Sequence, residues 1–117
     1  MTHIRAEEGT NKRGQYHFRL KASGHADFDE HGRDIVCAAI SVLCISLANT
    51  LRYYQADDNP DITIDDGDVY IAAVIDHGHA DVNLMGAFRM TCLGLQMIAD
   101  QYPDHVSFKL KQSGVLL

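Results

Sequence analysis

A long run with hardly any polar side chain constrains the fold of this chain more than any other feature. It extends from Ile35 to Ala48, where two serines are the only polar residues. The run predicts a helix from about Asp34 to Tyr54 whose first two-thirds are apolar almost all round. The run is too short to span a bilayer, so we interpret it as part of a buried helix. One sheet face cannot cover such a helix, and a second helix and a partner subunit are expected to cover the rest.

The chain on either side of this helix has the patterns of strands. Residues 15–23 alternate apolar and polar side chains most clearly, and residues 3–8 form a weaker candidate strand. After the helix, residues 62–64 and 69–75 flank the segment 65–68, whose aspartate-glycine pair is typical of a hairpin turn. The second of these strands is apolar without alternation, so we expect it to be central and covered on both faces.

A second helix is predicted from about Val82 to Tyr102, because apolar residues recur there every three or four positions. Its opposite face is polar and consists of Asn83, Arg89, Gln96 and Asp100. Pro103 ends this helix, and a last alternating strand follows around Phe108. The order ββαββαβ predicts an α+β fold in a single domain, residues 1–117. The expected architecture is a two-layer sandwich, with two helices packed on a mostly antiparallel sheet of about five strands.

Composition excludes several classes of function. The net charge of −6 argues against a nucleic-acid binder, because phosphate contacts need a basic surface. Three cysteines without a C-x-x-C pair fit neither a disulfide framework nor a zinc ribbon, which indicates a reducing compartment. The polar N-terminus shows no secretory signal, so we expect a cytoplasmic protein with no membrane partner. His77 and His79 lack further ligands, and we predict neither a metal nor a cofactor.

The segment between the strand 15–23 and the first helix carries the candidate chemistry. Gly24 and Gly32 bracket a loop, His25 directly follows the first glycine, and Cys37 falls in the first helical turn. The imidazole and the thiol can meet if the loop folds back on itself. Asp34 is a good N-cap, because its carboxylate can accept hydrogen bonds from the first free N–H groups of the helix.

This layout would suit a cysteine nucleophile. The positive end of the helix dipole is expected to lower the pKa of Cys37 if the thiol is not sealed in apolar surroundings, and His25 would take its proton. The N–H of Cys37 and its neighbours would be free to stabilise an oxyanion. The alternative is that Cys37 only packs, since a cysteine in an apolar helix is usually part of the core.

A resemblance to a known family rests on these residues. Gly24-His25-Ala26 and the later string Gly32-x-Asp34-Ile35-Val36-Cys37-Ala38-Ala39-Ile40-Ser41 resemble the signature of the ribosomal-processing cysteine proteases called Prp. The similarity extends from about Tyr16 to the end of the chain. It implies that His25 and Cys37 form a catalytic dyad, with Gly24, Asp34 and Ser41 as supporting residues.

Two of the supporting residues have alternative roles. Asp34 either caps the helix only or also orients His25. Ser41 lies one turn after Cys37, where its hydroxyl would help to polarise the site or would bond back to the Cys37 carbonyl, as serines in helices often do.

The resemblance also implies a substrate and an assembly. The expected function is that of an endopeptidase that removes the N-terminal extension of a large-subunit ribosomal protein, or trims a phage capsid protein with the same motif. The family resemblance further implies a homodimer. The main alternative is a non-catalytic dimeric binding module of the same fold. A thiol-based redox sensor is less consistent with the sequence, because no resolving cysteine is evident.

Overall fold

The computed structural model describes residues 1–54, 60–75 and 80–113. The elements in chain order are β1 (Thr2–Thr10), β2 (Tyr16–Ser23), α1 (Ile35–Tyr54), β3 (Asp61–Asp65), β4 (Asp68–Ile75), α2 (Ala80–Gln101) and β5 (Val106–Ser113). The predicted element order and the two-layer α+β sandwich are therefore confirmed. The weak strand near the N-terminus forms as β1.

The five strands form one sheet in the order β3-β4-β2-β1-β5. The pairings β1–β2, β2–β4 and β3–β4 are antiparallel, whereas β1 and β5 run parallel. The sheet is thus mostly antiparallel, as predicted. β1 forms despite its weak pattern because it is paired on both sides, with β2 and with β5.

β4 is an interior strand, as predicted, because it pairs with both β2 and β3, but the prediction that it is covered on both faces is wrong. β2 occupies the centre of the sheet, and β4 lies between it and β3. Ile71, Ala73 and Ile75 point into the core, whereas Val74 points to the other face and is exposed. The reason is that the buried stripes of both helices pack against one face of the sheet, and a continuous apolar run does not reveal how many layers cover a strand.

The core lies between the sheet and the two helices. Phe18 of β2 stacks on Phe88 of α2 with a distance of 4.8 Å between ring centroids. Complete burial of one such side chain stabilises the fold by about 1.5–3 kcal/mol. Each helix contributes one buried stripe to this core: Val36, Ile40, Cys44, Leu47, Ala48 and Leu51 on α1, and Leu84, Phe88, Cys92, Leu95 and Ala99 on α2.

Each helix also has an apolar stripe that the single chain leaves exposed. On α1 it includes Ile35, Val42 and Ile45, and on α2 it includes Leu93 and Met97. By length and composition alone, α1 and residues Val82–Gln101 of α2 are long and apolar enough to cross a membrane, a test that core helices of soluble proteins also pass. The sheet and α2 cover part of α1 but leave this stripe exposed. The prediction that α1 is buried on more than one side is therefore confirmed only in part.

A buried ionic network lies at the end of the sheet away from the α1 N-terminus. The Glu8 side chain is fully buried, and both of its oxygens accept hydrogen bonds from Arg89 Nε at 3.2 Å. Tyr16 Oη donates to Glu8 Oε1 at 2.8 Å, and Gln112 donates to Oε2. Burial and the adjacent carboxylate raise the pKa of Tyr16, which keeps its hydroxyl a donor. Arg89 was predicted on the polar face of α2, but it turns toward the sheet to pair with Glu8.

We predict that Arg89→Ala strongly destabilises the fold. It would leave the Glu8 carboxylate buried without its ionic partner, and loss of one member of such a pair typically costs about 3–5 kcal/mol. Urea denaturation followed by circular dichroism measures the change in the free energy of unfolding. Arg52→Ala on the exposed end of α1 is the matched control, expected within about 0.5 kcal/mol of the parent. A loss below about 1 kcal/mol for Arg89→Ala would contradict the prediction.

Candidate active site

The turn after β2 places His25. Gly24 has a φ of +89°, and a Cβ at this position would lie 2.5 Å from the Met1 carbonyl oxygen. Both observations require glycine here. The Gly24 N–H donates to the Gly67 carbonyl at 2.9 Å, which ties the turn to the β3–β4 hairpin. Gly24 therefore supports the candidate site by fixing the backbone from which His25 projects.

The loop that follows is anchored to the core in its first half. Ala26 is only 1% exposed, and its carbonyl accepts a hydrogen bond from His105 Nδ1 at 2.9 Å. The Phe28 ring lies edge-on to Tyr102 and His105, with centroid distances of 5.2 and 5.4 Å. The segment between α2 and β5 thus determines where the loop begins to fold back toward α1.

Asp34 caps α1, as the sequence predicted. Its Oδ1 accepts the N–H groups of Val36 and Cys37 at 3.0 and 2.9 Å. Its Oδ2 accepts those of Phe28 and Asp29 at 3.0 and 3.4 Å. Burial is the largest single effect and opposes ionisation, but the hydrogen bonds that Asp34 accepts together outweigh it and lower the pKa of Asp34. One carboxylate therefore joins the loop to the helix start.

The alternative role of Asp34, orienting His25, has no contact to support it. Both carboxylate oxygens accept backbone donors, and no hydrogen bond joins Asp34 to His25 within residues 1–54, 60–75 and 80–113. The geometry favours the capping role.

The Asp34 cap also fixes the backbone of Cys37, and the pKa of the Cys37 thiol shifts in the direction opposite to the one we expected. Burial raises the pKa of the Cys37 thiol, and the carboxylates of Asp34 and Asp27 raise it further. The Ala26 N–H, which donates to Cys37 Sγ at 3.4 Å, opposes this shift only in part. We expected a lowered pKa for a sulfur that is not sealed in apolar surroundings, but Cys37 is partly buried; its burial is the largest cause of the raised pKa, and the capping carboxylate of Asp34 adds to it.

The predicted oxyanion donors also differ. The Cys37 N–H is not free, because it donates to Asp34. The backbone donor that reaches the sulfur is instead the N–H of Ala26, which directly follows His25. An oxyanion site near Cys37 would therefore be built from the loop rather than from the first turn of α1.

His25 lies beside Cys37 without touching it. Its side chain is 46% exposed, and Nε2 is 3.8 Å from Asp66 Oδ1. The ring also packs over Gly67, where a Cβ would lie 2.7 Å from Nε2. No hydrogen bond joins His25 to Cys37 in the described part of the chain. The hairpin turn between β3 and β4 thus contacts the imidazole ring and determines its position.

Two cavities meet at these side chains, and His25, Cys37 and Ser41 line both. The smaller, of about 110 Å³, runs between α1 and the β3–β4 hairpin and has largely apolar walls. The larger, of about 510 Å³, opens over the loop and is acidic, with Asp27, Asp29, Asp34 and Asp66 among its lining residues. The structure therefore brings the predicted pair and Ser41 to one place on the surface.

Ser41 faces this space rather than its own helix. Within the described residues its hydroxyl makes no bond back to the Cys37 carbonyl, whereas Thr50 makes such a bond to the Ser46 carbonyl at 2.7 Å. The alternative of a purely local role for Ser41 is therefore not supported by the geometry.

Sequence reasoning missed the contributions of distant residues. Asp66 and Gly67 were interpreted only as a hairpin turn, and His105 was not considered. All three reach the loop through long-range contacts that no local pattern encodes. The weak zinc candidates His77 and His79 lie outside the described residues. Among the described residues, no group of three or more His, Cys, Asp or Glu side chains could hold a metal ion.

Comparison with known proteins identifies the fold and the class. The family model described as cysteine protease Prp matches residues 1–107. The ribosomal processing cysteine protease Prp of Staphylococcus aureus is 31% identical over 90 residues, covering 75% of this chain and 81% of the relative. The protein of the same name from Mycoplasma pneumoniae is 27% identical over 93 residues, covering 80% of this chain and 87% of the relative.

A solved structure agrees with these sequence relatives. The crystal structure of the S. aureus protease Prp in complex with a covalently linked product peptide superposes with a TM-score of 0.68. The two chains are 27% identical, and the match covers 92% of this chain and 99% of that one. The protein described here is therefore a cysteine peptidase. More specifically, the chain belongs to the Prp family of ribosomal processing cysteine proteases, which confirms the resemblance.

We predict that the Asp34 carboxylate stabilises the fold and suppresses the thiolate of Cys37. Asp34→Ala should cost about 0.5–2 kcal/mol of unfolding free energy, and Asp34→Asn should cost less, because asparagine caps about equally well. Both changes remove a charge that raises the pKa of Cys37, so alkylation of Cys37 by iodoacetamide at pH 8 should become faster. Mass spectrometry of the Cys37 peptide measures that rate.

The control for this prediction is Asp29→Asn. Asp29 lies in the same loop and is exposed, whereas the carboxylates that raise the pKa of Cys37 are those of Asp34 and Asp27. Its alkylation rate should match the parent. An Asp34→Asn rate equal to or below that of the parent would contradict the electrostatic interpretation.

Proposed function

We propose that this peptidase removes the N-terminal extension of a large-subunit ribosomal protein, with Cys37 as the nucleophile and His25 as its proton acceptor and donor. The observation that carries the proposal is that both side chains line the same two cavities, at the exit of β2 and the start of α1. Relatives named ribosomal processing proteases support the substrate class.

The proposed reaction begins with a movement of His25. Its ring leaves the Asp66 side of the cavity and approaches the Cys37 sulfur as the peptide binds. The thiol proton passes to the imidazole, and the thiolate attacks the scissile carbonyl to form a new sulfur–carbon bond. The imidazolium then donates its proton to the leaving amine as the carbon–nitrogen bond breaks. Water hydrolyses the thioester and restores the thiol.

The raised pKa of Cys37 fits this sequence of events. Burial and the nearby carboxylates of Asp34 and Asp27 raise the pKa of the thiol, which favours the protonated sulfur in the free enzyme. An imidazolium beside the sulfur would supply the positive charge that the site lacks and would stabilise the thiolate. The Ala26 N–H already points at the sulfur and is the candidate donor to the oxyanion; one such donor is typically worth about 3–4 kcal/mol in the transition state.

The two cavities fit the proposed substrate chemically. The smaller one can receive an apolar side chain between Ile40, Ile45, Ile64 and Val69, as expected for a cleavage motif rich in hydrophobic residues. The larger one is acidic and complements a basic peptide segment, which ribosomal proteins commonly carry. A phage capsid protein with the same motif would present the same apolar residues, but it would need no basic segment.

Replacement of either proposed dyad member should abolish cleavage. We expect Cys37→Ala and His25→Ala each to lower the turnover of an extended ribosomal-protein precursor by about a thousandfold or more, since members of a catalytic unit act together. Mass spectrometry of the products gives the rate and the cut site. Thermal melts should show that both variants remain folded.

Matched controls separate catalysis from packing. His31→Ala removes an exposed histidine that lines the same acidic cavity, and Cys92→Ala removes a cysteine buried in α2. Both should retain turnover if they fold. Full cleavage by Cys37→Ala would refute the mechanism. Binding of the precursor by the parent protein without any cleavage would instead favour the non-catalytic binding module.

We further propose a homodimer that covers the exposed stripes of the helices and acts in the cytoplasm. Val42 is 64% exposed on α1, and Leu93 and Met97 are each 63% exposed on α2. A contact between two such helical layers would be isologous and would bury these side chains.

The dimer proposal predicts a concentration-dependent assembly. Analytical ultracentrifugation at micromolar concentration should show a dimer, and the double variant Val42→Glu/Leu93→Glu should sediment as a monomer. The control Arg5→Gln/Lys109→Gln changes the opposite layer and should remain dimeric. A monomeric parent protein would remove this proposal.

A further inference from the structure

The open face of the sheet concentrates positive charge in a chain that is acidic overall. Arg5, Arg19, Lys21, Lys109 and Lys111 lie at outward positions of β1, β2 and β5, and they make up half of the chain's ten lysines and arginines. They surround a groove of about 690 Å³, which Tyr70 of β4 also lines. This groove is on the face of the sheet opposite to the helices and apart from the peptidase cavities.

The strand register places these cations next to one another. Arg5 is directly opposite Lys21 on one side and directly opposite Lys109 on the other. Neighbouring strands lie about 4.8 Å apart, so three positive charges form one row across β5, β1 and β2. Like charges in directly opposed positions destabilise a sheet. The fold by itself gives no reason for this row.

Most of this charge has no carboxylate partner among the described residues. In that part of the chain, Glu7 is the one carboxylate that lines the groove, and it pairs with Arg19. None of Arg5, Lys21, Lys109 and Lys111 forms an ion pair in residues 1–54, 60–75 and 80–113. Apart from Glu7 and the buried Glu8, the acidic residues of the strands lie at the β3–β4 end of the sheet, where Asp61 and Asp65 are exposed. The face is therefore basic on one half and acidic on the other.

We propose that this basic face binds the phosphate backbone of single-stranded RNA. Arginine and lysine side chains spaced along and across the strands suit consecutive phosphates, and Tyr70 beside Lys21 offers a ring on which a base can stack. An open sheet face with an aromatic residue is a surface that accepts splayed, unpaired bases. An acidic protein would match the charge, but it would not use the aromatic ring in this way.

RNA binding by this face goes beyond the peptidase activity and can be tested without it, whereas its role in placing the enzyme near its substrate rests on the proposed function. RNA is the polyanion of any ribosomal particle, so the basic face would hold the enzyme near a substrate assembled on RNA while the cavities on the other side remain open. The net charge of −6 predicted no nucleic-acid partner, but net charge averages over the whole surface. The sheet instead separates the charges, and RNA responds to the local field.

Fluorescence anisotropy with a labelled oligouridylate tests the proposal on the full chain. The parent protein should bind at low salt, and the triple variant Arg5→Gln/Lys21→Gln/Lys109→Gln should lose about tenfold or more in affinity. The slope of log K against log salt should fall by about 0.7 for each lost phosphate contact. Tyr70→Ala should weaken binding about fivefold or more through lost stacking, and Tyr70→Phe should not.

A matched variant controls for net charge. Lys12→Gln/Arg13→Gln/Arg52→Gln removes the same number of positive charges from the β1–β2 turn and the end of α1, and it should bind RNA within about twofold of the parent. Both triple variants should melt at or above the parent's melting temperature and should keep its peptide cleavage, since removal of the opposed like charges does not destabilise the sheet. The proposal is overturned if the parent does not bind RNA at low salt, if the two triple variants lose affinity equally, or if oligoglutamate of equal length competes as well as RNA.

Discussion

The candidate site depends on one carboxylate. Asp34 accepts two amides at the start of α1 and two from the loop that precedes it, so the loop, the helix and Cys37 share a single anchor. Four hydrogen bonds to an ionised group also hold its negative charge in place. The same residue that positions the sulfur therefore makes its ionisation unfavourable. The hydrogen bonds of Asp34 position Cys37, whereas its negative charge disfavours the Cys37 thiolate.

His25 and Cys37, the proposed dyad, share no hydrogen bond in the described part of the chain, and each is held by other groups. His25 packs over Gly67 near Asp66, while Cys37 accepts the Ala26 N–H. A protonated thiol next to carboxylates is a poor nucleophile but also a poor target for oxidation. Activity would then require the imidazole to approach the sulfur, and a bound peptide in the two shared cavities is in a position to promote that approach.

Local patterns predicted the fold well and the site in part. Alternation, capping and the aspartate-glycine turn gave the element order, and Asp34 was recognised as a cap from its place before an apolar run. The number of covered faces of β4 was not predictable, because an apolar strand has the same sequence pattern whether one or two of its faces are covered. The direction of the Cys37 pKa shift was not predictable from the helix dipole, because it depends first on how far the tertiary structure buries the sulfur and then on the carboxylates placed near it.

The sequence by itself determined which segments become helices and strands, and which residues carry the peptidase signature, because periodicity, caps and turn residues act within a few positions of one another. Tertiary structure decided which side chains meet across the chain. It placed Glu8 against Arg89, set His25 over the distant hairpin turn, and gathered the cations of three strands on one face. These outcomes depend on strand order and register, which bring together residues up to a hundred positions apart, and no local pattern contains that information.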